Sequence, residues 1–368
     1  MSKPVIGILT WRMGKRFEEP GYLRRLVQAG QKLDAVVYLF SQQDVFVQQR
    51  KIRGFVPKVG GGWEVKWFPW PNIVIDRYRK RVKEYLRLRH RKLFCYANST
   101  FAKKWQITQL LGADERVKRW IPQTVAYSPT GLRQMLGHHP LLYIKPGNGT
   151  GGRSILKVAA QANGYQLQGR DRRMAKRNLH VKTAAAMESL VNSWVKENQI
   201  RDGNFMVQQG LHLSLVSDRV VDVRLLIQKD ERGDWSVTGC GVRLGASGSS
   251  VSNLHGGGKA VAFETFMGKR FGSEKAGEIL RECHELAHQT AVTLEERFGR
   301  MIEFGLDIGV DVEGRVWLIE VNPKPGREVF RQMGQLGTYA EAIRRPVLYA
   351  LHLIRTGQTG RGQKTDTG

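Results

Sequence analysis

The sequence predicts an α/β (α+β) protein of two to three domains, and three observations predict it. Short β-branched runs alternate with helix-period stretches over residues 1–95. Two long strands, Val221–Gln228 and Trp235–Arg243, flank a turn at Asp230–Gly233. A second hairpin is written by Phe304–Val310 and Arg315–Val321, with Asp311-Val312-Glu313-Gly314 as its turn. At 368 residues the chain can bury the core such a protein needs.

In order along the chain, Val5–Leu9 reads as a strand, Tyr22–Ala29 as a helix closed by Gly30, and Asp34–Ser41 as a second strand. A Trp-rich stretch follows, in which alternation from Trp63 to Phe68 predicts a hairpin arm and Asn72–Asp76 a buried strand. Its aromatic rings suit packing, with base stacking the rival use. Arg77–Lys92 carries nine Lys or Arg against one Glu, with Val82, Leu86, Tyr85 and Leu93 as a narrow apolar stripe at helical spacing. Asn98-Ser99-Thr100 reads as the N-cap of a helix from Phe101 to Leu111 that stops at Gly112. Strands are expected at Leu141–Lys145, Ser154–Val158, Tyr165–Gln168 and Phe205–Gln209, and helices at Ala185–Lys196, Ser273–Phe298 and about Tyr339 to Ile354. The polar tail 357–368 reads as disordered.

The charge balance is strongly basic, with 59 Lys and Arg against 33 Asp and Glu, a formal net charge of +26 and a pI near 10.3. Such a field favours polyanions. Two clusters, Arg77–Lys92 and Arg170–Lys182, are the candidate surfaces, although charge runs are as readily solvated faces. No helix-turn-helix, zinc-finger or RNP pattern supports sequence-specific readout. Three cysteines without a CxxC support neither a zinc site nor a disulfide framework and fit a reducing, cytosolic setting. No apolar run reaches membrane-spanning length.

Two stretches carry chemistry. In the second hairpin, a two- or four-residue loop would place Asp307 opposite Leu318, with Leu318, Glu320 and Asn322 on the same face. Asp307 and Glu320 would then be diagonal neighbours about 7–8 Å apart, with room for a hard cation between them. Two carboxylates and an amide on one face are costly without a cation, because the like charges repel and apolar neighbours desolvate them, and Mg²⁺ would remove both problems. A surface hairpin with outward polar residues is the plain alternative. The other stretch is Lys145–Ser154, KPGNGTGGRS. Gly147-x₄-Gly152-Arg153-Ser154 is one substitution from a phosphate-binding P-loop, but that loop must open a helix, and SILKV alternates as a strand. A glycine lid between two antiparallel strands is the reading that fits its context.

Asp-x₁₂-Glu-x-Asn, followed by Pro323 and Pro325-Gly326, closely resembles the metal-binding end of the ATP-grasp ligases. The resemblance implies that Asp307, Glu320 and Asn322 ligate Mg²⁺ (or Mn²⁺), and that the lid glycines Gly149, Gly151 and Gly152 close over the phosphates of ATP. Lys104, beside Lys103, resembles the family's first phosphate lysine, and Lys145-Pro146 the second. Met206–Leu211 looks like the interdomain hinge that holds adenine, with Gln208 beside it and the backbone of Gln209, Gly210 and Leu211 reading its edge. Asp222-Val223-Arg224 resembles the DxR of the ribosomal-protein glutamate ligase group, whose acid binds ribose. Arg243 and Ser252-Asn253-Leu254-His255-Gly256-Gly257-Gly258 resemble the RxxxG…SNLHxGG of that group, which implies Arg243 near the γ-phosphate and Asn253 near phosphate or metal. Gln209-Gly210 departs from the acid and bulky residue of many ligases. Lys324, between the prolines, is also a departure and would add positive charge near the phosphates.

From Ile6-Gly7-Ile8-Leu9 to the final helix, the chain is similar to the YheC/YheD group of spore-forming bacteria, ATP-grasp proteins associated with the endospore coat. That likeness implies an N-terminal α/β domain (1–95, the pre-ATP-grasp domain) ahead of an ATP-grasp domain (96–356), itself divided into a lid subdomain (about 146–205) and a metal-hairpin subdomain (about 206–356). It implies a carboxylate–amine ligase that works through an acylphosphate, with Arg243 and Lys145 as its catalytic cations and unnamed carboxylate and amine substrates. The rival is a structural protein of the spore coat or forespore that keeps the fold and docks on polyanions. A basic nucleic-acid-binding module is a third reading, resting on charge alone.

Overall fold

The computed structural model describes residues 2–80, 82–147, 153–199, 204–217, 219–246 and 257–359. Three large sheets and one two-stranded ribbon, Arg12–Met13 with Arg16–Phe17, carry these residues. In the first, Val5–Leu9 lies parallel between Val36–Phe40 and Ile73–Asp76, and all three are buried almost throughout. That is the continuous apolar pattern of parallel strands covered on both faces. Lys51–Pro57 and Trp63–Pro69 add the predicted antiparallel arm. Its aromatics pack: Phe68 stacks on Tyr38 at 4.4 Å and Trp63 meets Phe17 edge-on at 4.9 Å. The first helix runs over Pro20–Lys32, so Gly30 does not end it. A Cβ at Gly30 would lie 2.2 Å from Val37 Cγ2, so the glycine lets the helix sit close against the strand.

The second sheet is antiparallel throughout, in the order Lys176–Val181, Gly164–Arg170, Ile155–Gln161, Leu141–Pro146, Phe205–Gln209, Thr124–Ala126. Helices Pro129–His138 and Ala184–Glu197 pack on it, capped by the Ser128 and Thr183 hydroxyls. The third sheet orders Lys259–Val261, Trp235–Leu244, Val221–Lys229, Glu303–Val310 and Val316–Asn322, also antiparallel. Its core is closed by the long helix Ser273–Phe298, whose buried residues recur at helical spacing. The last helix, Leu336–Arg355, returns to the N-terminal part: Ala342, Ile343 and Val347 share one core with Leu23, Leu26 and Val27.

Two sequence expectations are corrected here. The basic run Arg77–Lys92 is helical only over Lys83–His90, and Tyr85 and Leu88 are its buried residues. The helix expected from Phe101 begins at Lys104, with Lys103 in the capping position. Asn98 is not its cap: its side chain bonds the backbone N–H and C=O of Asp76 instead.

The N-terminal and third sheets are joined by buried charge. Arg77 reaches Glu303 at 2.7 Å and Glu19 at 2.9 Å, while Arg327 bonds the other Glu303 oxygen. Both guanidiniums lie over the Tyr22 ring, and burial pushes the Tyr22 hydroxyl up to about 12. Removing one member of a buried ion cluster leaves its partners uncompensated. Glu303→Gln should therefore lose about 3–5 kcal/mol of stability in urea denaturation, whereas Lys66→Ala, in an exposed pair with Glu64, should lose nothing measurable.

Candidate functional site

The second hairpin forms as predicted, with a different register. Asp311 organises the turn. Its Oδ1 accepts from the N–H groups of Glu313 (3.0 Å) and Arg315 (2.9 Å), and its Oδ2 from Trp317 Nε1 (3.0 Å). Gly314 supplies the left-handed residue at φ +83°, so the loop has three residues, Val312 to Gly314, rather than two or four. A bulge beside Asp307 then leaves Ile319 unmatched, pairs Ile308 with Leu318 and sets Asp307 directly opposite Glu320, not Leu318. Gly305 lies opposite Asn322. Facing residues are about 4.5–5.5 Å apart between Cβ atoms, closer than the diagonal first expected.

Strand pairing extends this into a row of charge across the third sheet. Asp222 and Arg224 alternate onto one face of Val221–Lys229. Asp222 faces Arg243 on one neighbouring strand, and Arg224 faces Asp307 on the other. The buried Arg243 fork donates to both Asp222 oxygens at 2.6 and 2.5 Å and lies 3.1 Å from Asp307 Oδ1. Burial would lower the Arg243 pKa, but Asp222 and Asp307 outweigh it and raise it above the usual value. Arg224 Nε lies 2.8 Å from the same Asp307 oxygen, out of line for a hydrogen bond, and Asn322 Nδ2 is 3.4 Å from Asp307 Oδ2.

Two lysines approach from other elements. Lys104, at the start of the helix Lys104–Ala113, reaches Glu320 at 2.9 Å. Lys145, near the end of the interior strand Leu141–Pro146 of the second sheet, donates to Gln208 Oε1 at 2.6 Å, and Gln208 in turn donates to the Thr124 hydroxyl at 2.8 Å. Burial pushes Lys145 down to about 8; Glu320 opposes the shift and Lys104 adds to it. The two sheets thus meet over one cleft of about 3200 Å³, whose walls include Lys104, Lys145, Asp222, Arg243, Asp307 and Glu320.

Other expected residues fall differently. Gln209 and Gly210 lie at the end of the Phe205–Gln209 strand, but their N–H groups are engaged by the Gln123 and Leu141 carbonyls at 2.8 and 2.7 Å. Gly210 stands where a bulky residue was expected because a Cβ there would sit 2.2 Å from Leu141 Cγ. The Leu211 carbonyl accepts from Leu213 N–H at 3.0 Å. Lys324 does not face the phosphate lysines: its ammonium bonds Asp76 Oδ1 at 2.9 Å and the Tyr78 carbonyl. Gly149, Gly151, Gly152 and Asn253 lie outside the described residues. Beyond the lid glycines comes the strand Ile155–Gln161, not the helix a P-loop requires. Arg224 belongs to the charged row as well, and its period-two spacing from Asp222 is the sequence signal that it shares that face. In the run Arg77–Lys92, Arg77 is buried, Arg79 pairs with Glu19 at 2.8 Å and Arg89 with Asp76 at 3.4 Å, so part of the run neutralises acids of the fold.

The family described as "YheC/D like ATP-grasp" matches residues 94–353. The chain belongs to the YheC/D-like ATP-grasp family. It is 26% identical to the endospore coat-associated protein YheD of Bacillus subtilis (strain 168) over 365 residues, covering 95% of this chain and 79% of that protein. To YheC of the same organism it is 26% identical over 230 residues, 61% of this chain and 60% of that one. Among solved structures, the ATP-grasp ligase PsnB complexed with its minimal precursor superposes with a TM-score of 0.51 at 13% identity, over 93% of this chain and 99% of that chain. The fold is therefore ATP-grasp. Among the described residues no helix is long and apolar enough to cross a membrane.

In a YheC/D-like site the hairpin suits a divalent cation that shares its shell with a substrate. Among the described residues no group of three His, Cys, Asp or Glu could hold a metal alone, and the hairpin presents two carboxylates and an amide, Asp307, Glu320 and Asn322. Asp307 Oδ1 already lies 2.8 Å from Arg224 Nε and 3.1 Å from Arg243, so a divalent cation there would compete with two guanidiniums for the carboxylate.

Lys145 offers a direct check on this electrostatic arrangement. Its ammonium should titrate near 8 by NMR of the labelled side chain, far below its ordinary value of 10.5. Gln208→Leu removes an acceptor that favours the charged form, so the value should fall further. Since the unfolded lysine keeps its proton to higher pH, wild-type stability relative to Lys145→Met should rise with pH between those two values.

Proposed function

We propose that the protein is an ATP-dependent carboxylate–amine ligase. The observation that carries this reading is the meeting of Asp307, Glu320 and Asn322 with Lys104, Lys145 and Arg243 in one cleft between two sheets. Lys104 and Lys145 hold the phosphate oxygens of ATP as charged donors. Asp307, Glu320 and Asn322 would hold Mg²⁺ or Mn²⁺, which supplies charge neutralisation at the phosphates. A substrate carboxylate oxygen attacks the γ-phosphorus, the bond from that phosphorus to the bridging oxygen breaks, and ADP leaves. An amine then attacks the acyl carbon of the acylphosphate, phosphate departs, and the amine nitrogen loses a proton. Arg243, held in place by Asp222, would meet the negative charge that grows on the transferred phosphoryl group, and its stabilisation would be electrostatic and preorganised. By the family resemblance, Asp222 would also serve the ribose and Gln208 to Leu211 border the adenine, while Gly149, Gly151, Gly152 and Asn253 remain the residues expected to contact phosphate.

A second reading is favoured by the names of the relatives, both endospore coat-associated proteins. On that reading the chain is a coat or forespore component that binds nucleotide without ligating, and the basic clusters Arg77–Lys92 and Arg170–Lys182 dock it on polyanions.

The two readings part on turnover. Purified protein given ATP, Mg²⁺ and panels of acids and amines should release ADP and phosphate only when both co-substrates are present. Glu320→Gln should lower that rate by about 100-fold or more and weaken Mn²⁺ binding measured by electron paramagnetic resonance. ATP bound tightly with no turnover on any acid–amine pair would decide for the binding protein.

A further inference from the structure

The cleft is more basic than a nucleotide requires. Fifteen Lys and Arg line it against seven Asp and Glu, an excess greater than a largely self-neutralised metal–triphosphate needs. Much of the surplus lies in one branch. Ser99 N–H donates to the Arg300 carbonyl at 2.7 Å, and the Phe101 ring meets Phe298 at 5.7 Å. These contacts set the end of the long helix, with Arg297 and Arg300, against the segment that runs through Lys103 into Lys104. Arg300 also donates to the Tyr96 carbonyl at 3.4 Å, which brings in the turn carrying Lys92. Among the described residues none of Lys92, Lys103, Arg297 and Arg300 is ion-paired, and the first three are exposed. Glu296, the nearby acid, is already held by Arg116 at 2.7 Å.

Lys103 precedes the lysine that touches Glu320, so the branch opens directly on the hairpin. We propose that the carboxylate substrate is a segment of acidic peptide, lying along Lys92, Arg297, Arg300 and Lys103 with one carboxylate delivered at the hairpin. The inference rests on the ligase reading. A peptide with several carboxylates supplies the attacking group and matches the surplus charge at once. Nucleic acid would satisfy the charge but brings no carboxylate to the γ-phosphate.

The test uses the full chain with Mg²⁺ and a non-hydrolysable ATP analogue. Fluorescein-labelled decaglutamate is titrated by anisotropy across a salt series, with decaglutamine and a ten-nucleotide single-stranded RNA as comparisons. Wild type should bind decaglutamate with affinity that falls steeply with salt, and should not bind decaglutamine. Lys92→Glu with Arg297→Glu, both exposed, should weaken decaglutamate by about tenfold and leave the affinity for the nucleotide analogue unchanged by calorimetry. Equal decaglutamate binding by wild type and variant, or RNA binding tighter than peptide with the same loss in the variant, overturns the proposal. A wild type that binds the nucleotide analogue and not decaglutamate defeats this inference alone. One that binds no nucleotide analogue defeats the ligase reading beneath it.

Discussion

One face of the strand Glu303–Val310 holds the molecule together and builds its site. Glu303, Gly305 and Asp307 alternate onto that face. Glu303 is bonded to Arg77 of the N-terminal part and to Arg327 beyond the hairpin, while Asp307 sits between Arg224 and Arg243. Gly305 between them has no room for a side chain, since a Cβ would lie 2.5 Å from Pro325 and 3.0 Å from Arg224. The strand can therefore move neither along its own axis nor away from the N-terminal sheet without separating buried charges. Rigidity of this kind suits a site whose work is electrostatic positioning.

On the ligase reading, the ion pairs of the cleft bear on how it would receive a metal–triphosphate. Glu320 holds Lys104, and Asp307 holds two guanidiniums, so carboxylates and cations neutralise each other. A metal–triphosphate carries both signs and can replace both halves of these pairs, its cation at the carboxylates and its phosphates at the lysines. Lys145 differs: it is held by the neutral Gln208, and burial lowers its hold on its proton. Phosphate binding would relieve that burial penalty with an opposite charge. Elsewhere the positive charge of the chain is used structurally, as in Arg77 and Lys324, which anchor the two halves through Glu19, Glu303 and Asp76.

Local physics made most of the elements legible in the sequence, while the candidate site residues were named by resemblance to the family. Period-two alternation placed the strands of both hairpins, helical spacing placed Ser273–Phe298, and the residues after the glycine stretch excluded a P-loop. The Asp-x₁₂-Glu-x-Asn spacing pointed to the hairpin before any contact was known. Less legible were positions decided by packing. Gly30 looked like a helix stop and is a point of close approach; Asn98 looked like a cap and bonds Asp76. Lys324, between the prolines after the hairpin, is expected from the sequence to add positive charge near the phosphates, yet its partner Asp76 is distant in sequence.

The sequence by itself determined which residues form strands, which face of the hairpin carries oxygen donors, and that the chain is strongly basic, because alternation, turn chemistry and composition are local properties. Only the tertiary structure decided the register at Asp307, since a three-residue loop and a bulge at Ile319 differ by small energies that the surrounding sheet resolves. It alone decided which charges meet. Arg77 and Glu303 are 226 residues apart, and Asp222, Arg243, Arg224 and Asp307 form a row only when three strands are paired. Coulombic partners are chosen by distance in space, and distance along the chain does not encode it.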